Sequence, residues 1–428
     1  MLLVTIVFML LLFTGMPVAF AIGISGSLFF LQHPELPTTI PVQLAVTQTQ
    51  SFALLAIPMF MAAGNLMNET GITQRLLNLA SVLTGHMRGG LAQVTVVLAA
   101  LMGGVSGSCI ADASMEARIL GPEMIKRGYS PGFVSAIVSN ASLITPIIPP
   151  GIGFILYGTV GNVSVGRLFA GGLLPGLLIT LSLMTAVSFY AKRRGYRPER
   201  EKRATIGEML KACGSSFWAL LFPVMLLVFL RFGIFTPSEV GSFAAVYAVL
   251  VGLLAYRELT WEKFKRALEG SIMDIGGVMF LIALSAIFSY GIVWERVPEA
   301  ISNFMLGISG NYVSFLLIII ALLLVAGMFI DGSVLILMLT PIFLPIALKF
   351  SLDPVHFGLI FVLTITIGNV TPPVGSAMYA VCTILGSSIE EYTREALIFM
   401  LVVALVAVIL IWFPQLVLFL PNLIFGRG

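Results

Sequence analysis

Apolar stretches, each about 20 residues and so long enough to cross ~30 Å of hydrocarbon as a helix, recur from Met1 to Phe425 with no soluble domain between them. Lipid is the solvent for such a chain. The composition agrees: 58% of residues are hydrophobic and 10% charged, against about 25% charged in a typical soluble domain. The first stretch lacks the basic leader and small-residue cleavage site of a secretory signal, so it is expected to stay as a helix.

Several functions are excluded early. A net charge of +3 is too small to argue for nucleic acid. Cys109, Cys213 and Cys382 are too scattered for a disulfide framework or a thiolate metal site. His33, His86 and His356 stand alone, so no metal centre and no cofactor are expected. No Gly-x-x-x-x-Gly-Lys-Ser/Thr loop is present, so the chain carries no nucleotide motor of its own. Its energy must come from ions or from a partner.

The chain also repeats itself, as transporters often do. Asp112, Pro122, Pro131 and Thr145 to Gly151 recur in order as Asp331, Pro341, Pro354 and Asn369 to Gly375. The offset is 219 for Asp112/Asp331 and Pro122/Pro341 and 223 for Pro131/Pro354 and Pro150/Pro373, so a four-residue gap aligns them; Gly64 and Gly291 extend the match at 227. This divides the chain into a first repeat over 1–190, a basic linker over 191–213 and a second repeat over 214–428. Re-entrant hairpins are expected at about 91–127 and 311–350, and broken helices at about 131–158 and 355–381. Apolar Trp261, Phe264, Ala267 and Leu268, with charges between, predict an interfacial arm over about 257–269. Thr236-Pro237-Ser238-Glu239 is a capping box with Pro at the first helical position.

Five crossings per half place 17 of the 23 basic residues on one side, the linker among them. That side is cytoplasmic by the positive-inside rule. An odd number of crossings inverts the second half, and both termini come out periplasmic.

Backbone polar groups cannot stay unpaired in hydrocarbon, so irregular chain at that depth survives only inside protein or along a wet cavity. Four breaks stand out: Ser106, Gly107, Ser108 and Asp112 in the first hairpin; Asn140, Ser142, Thr145 and Pro149 in the first broken helix; Gly327, Asp331 and Gly332 in the second hairpin; Gly368, Asn369, Thr371, Pro372 and Gly375 in the second broken helix. Glycines permit tight turns, prolines free carbonyls, and hydroxyls add the hard oxygens an alkali cation requires. The pattern predicts two quasi-symmetric sodium sites, with an anionic substrate held at half-helix N-termini between them. For Asp112 and Asp331 two readings stay open, helix capping and direct contact with ion or substrate. Arg118 is a candidate for the substrate carboxylate or a structural ion-pair partner. Asp274 reads as a helix cap.

The runs Phe52 to Gly64, Gly104 to Asp112, Gly233 to Glu239, Gly327 to Asp331 with Pro341 and Pro345, and Gly368 to Gly375 resemble the large membrane subunit (DctM-like) of the tripartite ATP-independent periplasmic (TRAP) transporters over essentially the whole chain. The resemblance implies an all-α inverted-repeat elevator of the ion-transporter superfamily kind in the bacterial inner membrane, coupled to sodium. It implies two partners, a periplasmic substrate-binding protein and a small four-helix membrane subunit. The latter is expected as a separate chain, because Met1 leads straight into the large-subunit pattern. It also implies a carboxylate substrate, with sialic acid ahead of a C4-dicarboxylate. The rivals are a permease driven by a separate ATPase and an intramembrane protease built on Ser106 or on an Asp112–Asp331 dyad.

Overall fold

The computed structural model describes residues 1–200, 202–308 and 311–426. One linker position, two residues ahead of the second hairpin, and the last two residues with Arg427 lie outside them. Every regular element among the described residues is helical. Six helices are long and apolar enough to cross a membrane, and Ile206–Ser215 with Phe217–Arg231, bent by 63°, would together make a seventh.

The chain breaks its helices in four places. Gly90–Gly103 is followed by an irregular Gly104 to Ser108 and then Cys109–Ile119 and Gly121–Lys126. Pro131–Ala141 stops, and the chain resumes at Ile152–Val160. In the second half Tyr312–Phe329 gives way to Gly332–Lys349 across Ile330 and Asp331, and Pro354–Gly368 to Ser376–Leu385 across Asn369 to Gly375. Both broken helices carry a cis Pro–Pro bond, Pro149–Pro150 and Pro372–Pro373.

The eight half-elements interlock by exchange. Gly90–Gly103 packs on Pro131–Ala141 of its own repeat, as Tyr312–Phe329 packs on Pro354–Gly368. The second arms cross over: Cys109–Ile119 packs on Ser376–Leu385 of the other repeat, and Gly332–Lys349 on Ile152–Val160. A second group exchanges in the same way. Val18–Gln32 packs on Trp261–Trp294, Pro237–Leu250 packs on Ala56–Glu69, and the two partners pack on each other. Gly26 lies against the Phe288 backbone and Gly241 against Met59 and Phe60.

The element boundaries correct the repeat register. Ser108 and Asp331 are the N-caps of corresponding arms, and they stand 223 residues apart, as do Gly104 and Gly327, Pro122 and Pro345, and Pro131 and Pro354. One offset therefore runs through the hairpins, no gap is needed there, and Asp112 is not the counterpart of Asp331. The arm over 257–269 is also corrected. Residues 257–260 are not helical, and from Trp261 a single helix of 34 residues runs to Trp294, about 51 Å at 1.5 Å per residue. Nothing between Lys265 and Asp274 stops it, since a lone Gly270 costs only about 1 kcal/mol. The capping box does form: Thr236 Oγ1 accepts from Glu239 N at 3.4 Å, and Glu239 Oε2 accepts from Thr236 N at 2.7 Å.

Where the second hairpin meets its broken helix, a Cβ on Gly368 would come within 2.6 Å of the Gly327 backbone. Alanine in place of a helical glycine ordinarily gains up to about 1 kcal/mol. Here the sign should reverse: Gly368→Ala is expected to lower the thermal unfolding midpoint of the purified protein, and an unchanged or raised midpoint would refute the close approach.

Candidate functional site

The four breaks converge on a cavity of about 460 Å³. The first hairpin supplies Gly107, Ser108 and Cys109, the second Asp331, Gly332 and Ser333, and the second broken helix Thr366 and Asn369. Met273, Asp274 and Gly277 of the Trp261–Trp294 helix close the opposite wall. The N-termini of Cys109–Ile119, Gly332–Lys349 and Ile152–Val160 all border this space, so three sets of helix-end N–H groups stand near it.

Behind the first tip, hairpin and broken helix are sewn together. Gly107 takes a left-handed turn at φ +64°, and a Cβ there would collide with the Pro150 carbonyl oxygen. Only glycine accepts both demands without strain. Cys109 Sγ lies 3.2 Å from Ser142 Oγ, and Thr145 Oγ1 donates to the Ala99 carbonyl at 3.4 Å. Asp112 is buried and its Oδ2 accepts from Ser106 Oγ at 2.5 Å. The cap of that helix is Ser108, whose Oγ accepts from Ala111 N at 3.4 Å. Asp331 does cap its helix, accepting from Ser333 N at 2.8 Å. The two open readings thus separate: Asp331 caps from the cavity wall, and Asp112 braces the inside of the first tip.

Each broken helix also contributes a buried side-chain carbonyl that accepts no hydrogen bond from the described residues. These are Asn140 Oδ1 and Asn369 Oδ1; both carboxylate oxygens of Glu116 share that condition. Asn140 holds its own helix through Nδ2 to the Ala136 carbonyl at 2.9 Å. The Asn369 backbone carbonyl accepts from Ala377 N at 3.0 Å and so ties the two halves of the second broken helix. Thr371 donates to the Ile367 carbonyl, at 2.7 Å. Thr371, Pro372 and Gly375 line the break itself and not the cavity, and Pro149 lies buried behind the first tip.

Two sequence expectations place residues elsewhere. Arg118 is exposed and outside the cavity lining: six residues past Asp112 it is about 9 Å further along and on a different helix face. Asp274 is no cap. It lies mid-helix on the cavity wall, where its Oδ2 accepts from Asn65 Nδ2 at 2.9 Å. Reading the arm as a separate helix hid it; a helix continued through 274 would have put an acid at membrane depth. The protease constellations are not assembled among the described residues. His356 Nε2 is engaged with the Leu410 carbonyl at 2.9 Å, and Asp112 and Asp331 bond Ser106 and Ser333 and not one another.

The family described as "Tripartite ATP-independent periplasmic transporter, DctM component" matches residues 5–416. The sialic acid TRAP transporter large permease protein SiaM of Vibrio cholerae is 34% identical over 98% of this chain and 97% of its own length. The isethionate TRAP transporter permease protein DctMQ of Oleidesulfovibrio alaskensis is 35% identical over 97% of this chain, which spans 65% of that longer protein. Among solved structures the Alcanivorax borkumensis YdaH transporter shares the fold, with a TM-score of 0.64 over 87% of each chain at 15% identity.

Ser106 donates the close hydrogen bond to the buried Asp112, and a buried acceptor robbed of a donor costs about 1–3 kcal/mol. Ser106→Ala should therefore destabilise the purified protein by that order in chemical unfolding. The same change in an Asp112→Asn background should cost clearly less, whereas equal costs in both backgrounds would mean that the pair is not coupled.

Proposed function

The chain belongs to the DctM family, the large permease component of tripartite ATP-independent periplasmic transporters, and from that premise we propose that it imports a carboxylate-bearing organic acid driven by sodium. It is accordingly a multi-pass transporter component and not an enzyme. The observation that carries the sodium reading is the pair of buried amide oxygens, Asn140 Oδ1 and Asn369 Oδ1, one in each broken helix and neither with a donor among the described residues. A buried acceptor without a partner is costly, and a small hard cation supplies what is missing without needing a donor. In this reading one ion sits between the first tip (Ser106 to Ser108) and Asn140, Ser142 and Thr145. The other sits between the second tip (Gly327 to Gly332) and Gly368 to Thr371. The substrate carboxylate then faces the helix N-termini that border the cavity.

An elevator motion is supported by how the packing divides. The hairpins and broken helices exchange contacts among themselves, Val18–Gln32, Ala56–Glu69, Pro237–Leu250 and Trp261–Trp294 do likewise, and the cavity lies where the two groups meet, along the contact of Trp261–Trp294 with Gly332–Lys349. A substrate bound at such a seam is carried when one group slides past the other. The proposed partners are a periplasmic binding protein that delivers the acid and a small four-helix membrane subunit. The proposed topology puts the 191–213 linker in the cytoplasm and both termini in the periplasm. Sialic acid remains the first substrate class and a C4-dicarboxylate the second, the former supported by the likeness to the sialic acid permease of Vibrio cholerae.

The test is uptake into proteoliposomes containing the complete transporter. Replacing external sodium by choline should abolish uptake, while uptake that persists and needs ATP would remove the reading in favour of an ATPase-driven permease. Asn140→Ala and Asn369→Ala should each move the sodium activation curve to higher concentration; curves that superimpose on the wild type would disprove the site assignment.

A further inference from the structure

The basic linker runs into a short helix that belongs to neither group of packed elements. Ile206–Ser215 starts on a capping box, in which Thr205 Oγ1 accepts from Glu208 N at 3.3 Å and Glu208 Oε2 accepts from Thr205 N at 2.8 Å. It stops at Ser216, whose Oγ donates to the Arg75 carbonyl at 3.1 Å. The chain there bends by 63° into the apolar Phe217–Arg231. For a span near the membrane normal, that bend leaves Ile206–Ser215 closer to the membrane plane. At about 100° per residue, Ile206, Met209, Leu210 and Cys213 share one face, and all four are exposed, Ile206 by 78% and Leu210 by 68%. Glu208, Lys211 and Ser215 take the opposite face. Ala212 alone is buried, against Leu79 and Val82. An open apolar stripe with a polar face behind it is the pattern of a helix lying in the membrane interface.

The charge around this helix has one sign to spare. Residues 192–211 hold eight basic residues against three acids. Two of the acids are turned inward: Glu199 Oε2 accepts from Ser81 Oγ at 3.0 Å, and Glu208 closes the capping box. Arg194 is answered by Glu395 at 2.8 Å. Lys202, Arg203 and Lys211 are exposed and form no ion pair among the described residues. A protein helix laid on the stripe would match its apolar side chains and leave these cations unanswered, whereas a lipid with a negative headgroup meets both demands. The place also bears on the moving parts. Glu199 N and Arg200 N both donate to the Gly85 carbonyl, at 2.8 and 3.0 Å, and Ile206–Ser215 packs on Ile72–Thr84, which packs on the first arm of the first hairpin. We propose that Ile206–Ser215 and the linker ahead of it form a binding surface for anionic phospholipid. The stripe from Ile206 to Cys213 sits among the upper acyl chains, and Lys202, Arg203 and Lys211 hold the phosphate headgroups at the base of the first hairpin.

The protein supplies its own probe, because Cys213 is exposed while Cys109 and Cys382 are buried. The complete transporter, labelled at Cys213 with an environment-sensitive fluorophore, is reconstituted into phosphatidylcholine vesicles containing phosphatidylglycerol, with either lipid brominated on its acyl chains at equal mole fraction. The Cys213 label should be quenched by brominated lipid, and about twofold or more strongly when the brominated species is phosphatidylglycerol. A label at Ser215→Cys in a Cys213→Ser background, on the opposite face, should instead be quenched by aqueous iodide. Replacing Lys202, Arg203 and Lys211 together by Gln should abolish the preference for phosphatidylglycerol while the Cys213 label stays in lipid. The proposal is overturned if brominated lipid does not reach Cys213 in the complete transporter, which would mean that the small subunit or a second copy covers the stripe. Equal quenching by the two brominated lipids, or a preference that survives the triple substitution, overturns it as well.

Discussion

Hydrocarbon offers a peptide group no hydrogen bond, so every N–H and C=O of a spanning chain must find its partner within the protein. Most of this chain obeys by staying helical. Four segments do not, and the architecture is arranged around them. Each hairpin tip is pressed against a broken helix of its own repeat, so closely that Gly107 meets the Pro150 carbonyl and Gly327 meets Gly368 with no room for a side chain. Such contacts bury the irregular backbone and also leave oxygens facing inward without donors. The polar cost that lipid imposes is thus gathered at two places, where a cation can relieve it.

The exchange of second arms between repeats extends that local solution to the whole molecule. Because Cys109–Ile119 leans on Ser376–Leu385 and Gly332–Lys349 on Ile152–Val160, each repeat supports the second arm of the other. The cavity at their meeting point is bordered by both tips. Its remaining wall comes chiefly from the Trp261–Trp294 helix, with Val18, Ala19 and Met61, all of the other group of helices. A shift of one group against the other would change that wall while leaving the tips and broken helices together.

Much of this was legible in the residues themselves. Prolines or glycines lie at or beside all four breaks, since Pro removes a donor and cannot continue a helix while Gly permits the turn. Thr236 to Glu239 announced its helix start through local chemistry alone. What the residues misled on was register and continuity. The pair Asp112 and Asp331 looked homologous because both are acids at membrane depth, yet their roles differ: Ser108 takes the capping position that Asp331 fills in the second repeat. An apolar stripe at 261, 264, 267 and 268 suggested a separate surface helix, and no local signal told that the helix continues through Asp274. Its partner Asn65 is 209 residues away, a contact that only packing reveals. Arg118 lies outside the cavity for a simpler reason, the angular position of a residue six places along a helix.

The central claim is that the donor-free oxygens at the two tip-and-break junctions are cation sites. Equilibrium binding of radiolabelled sodium to the purified transporter tests it most directly. Saturable binding of two ions per chain is expected, with one ion lost in a variant carrying Asn140→Ala and the other in a variant carrying Asn369→Ala. A saturation level that neither substitution alters, or no saturable binding at all, would contradict the account.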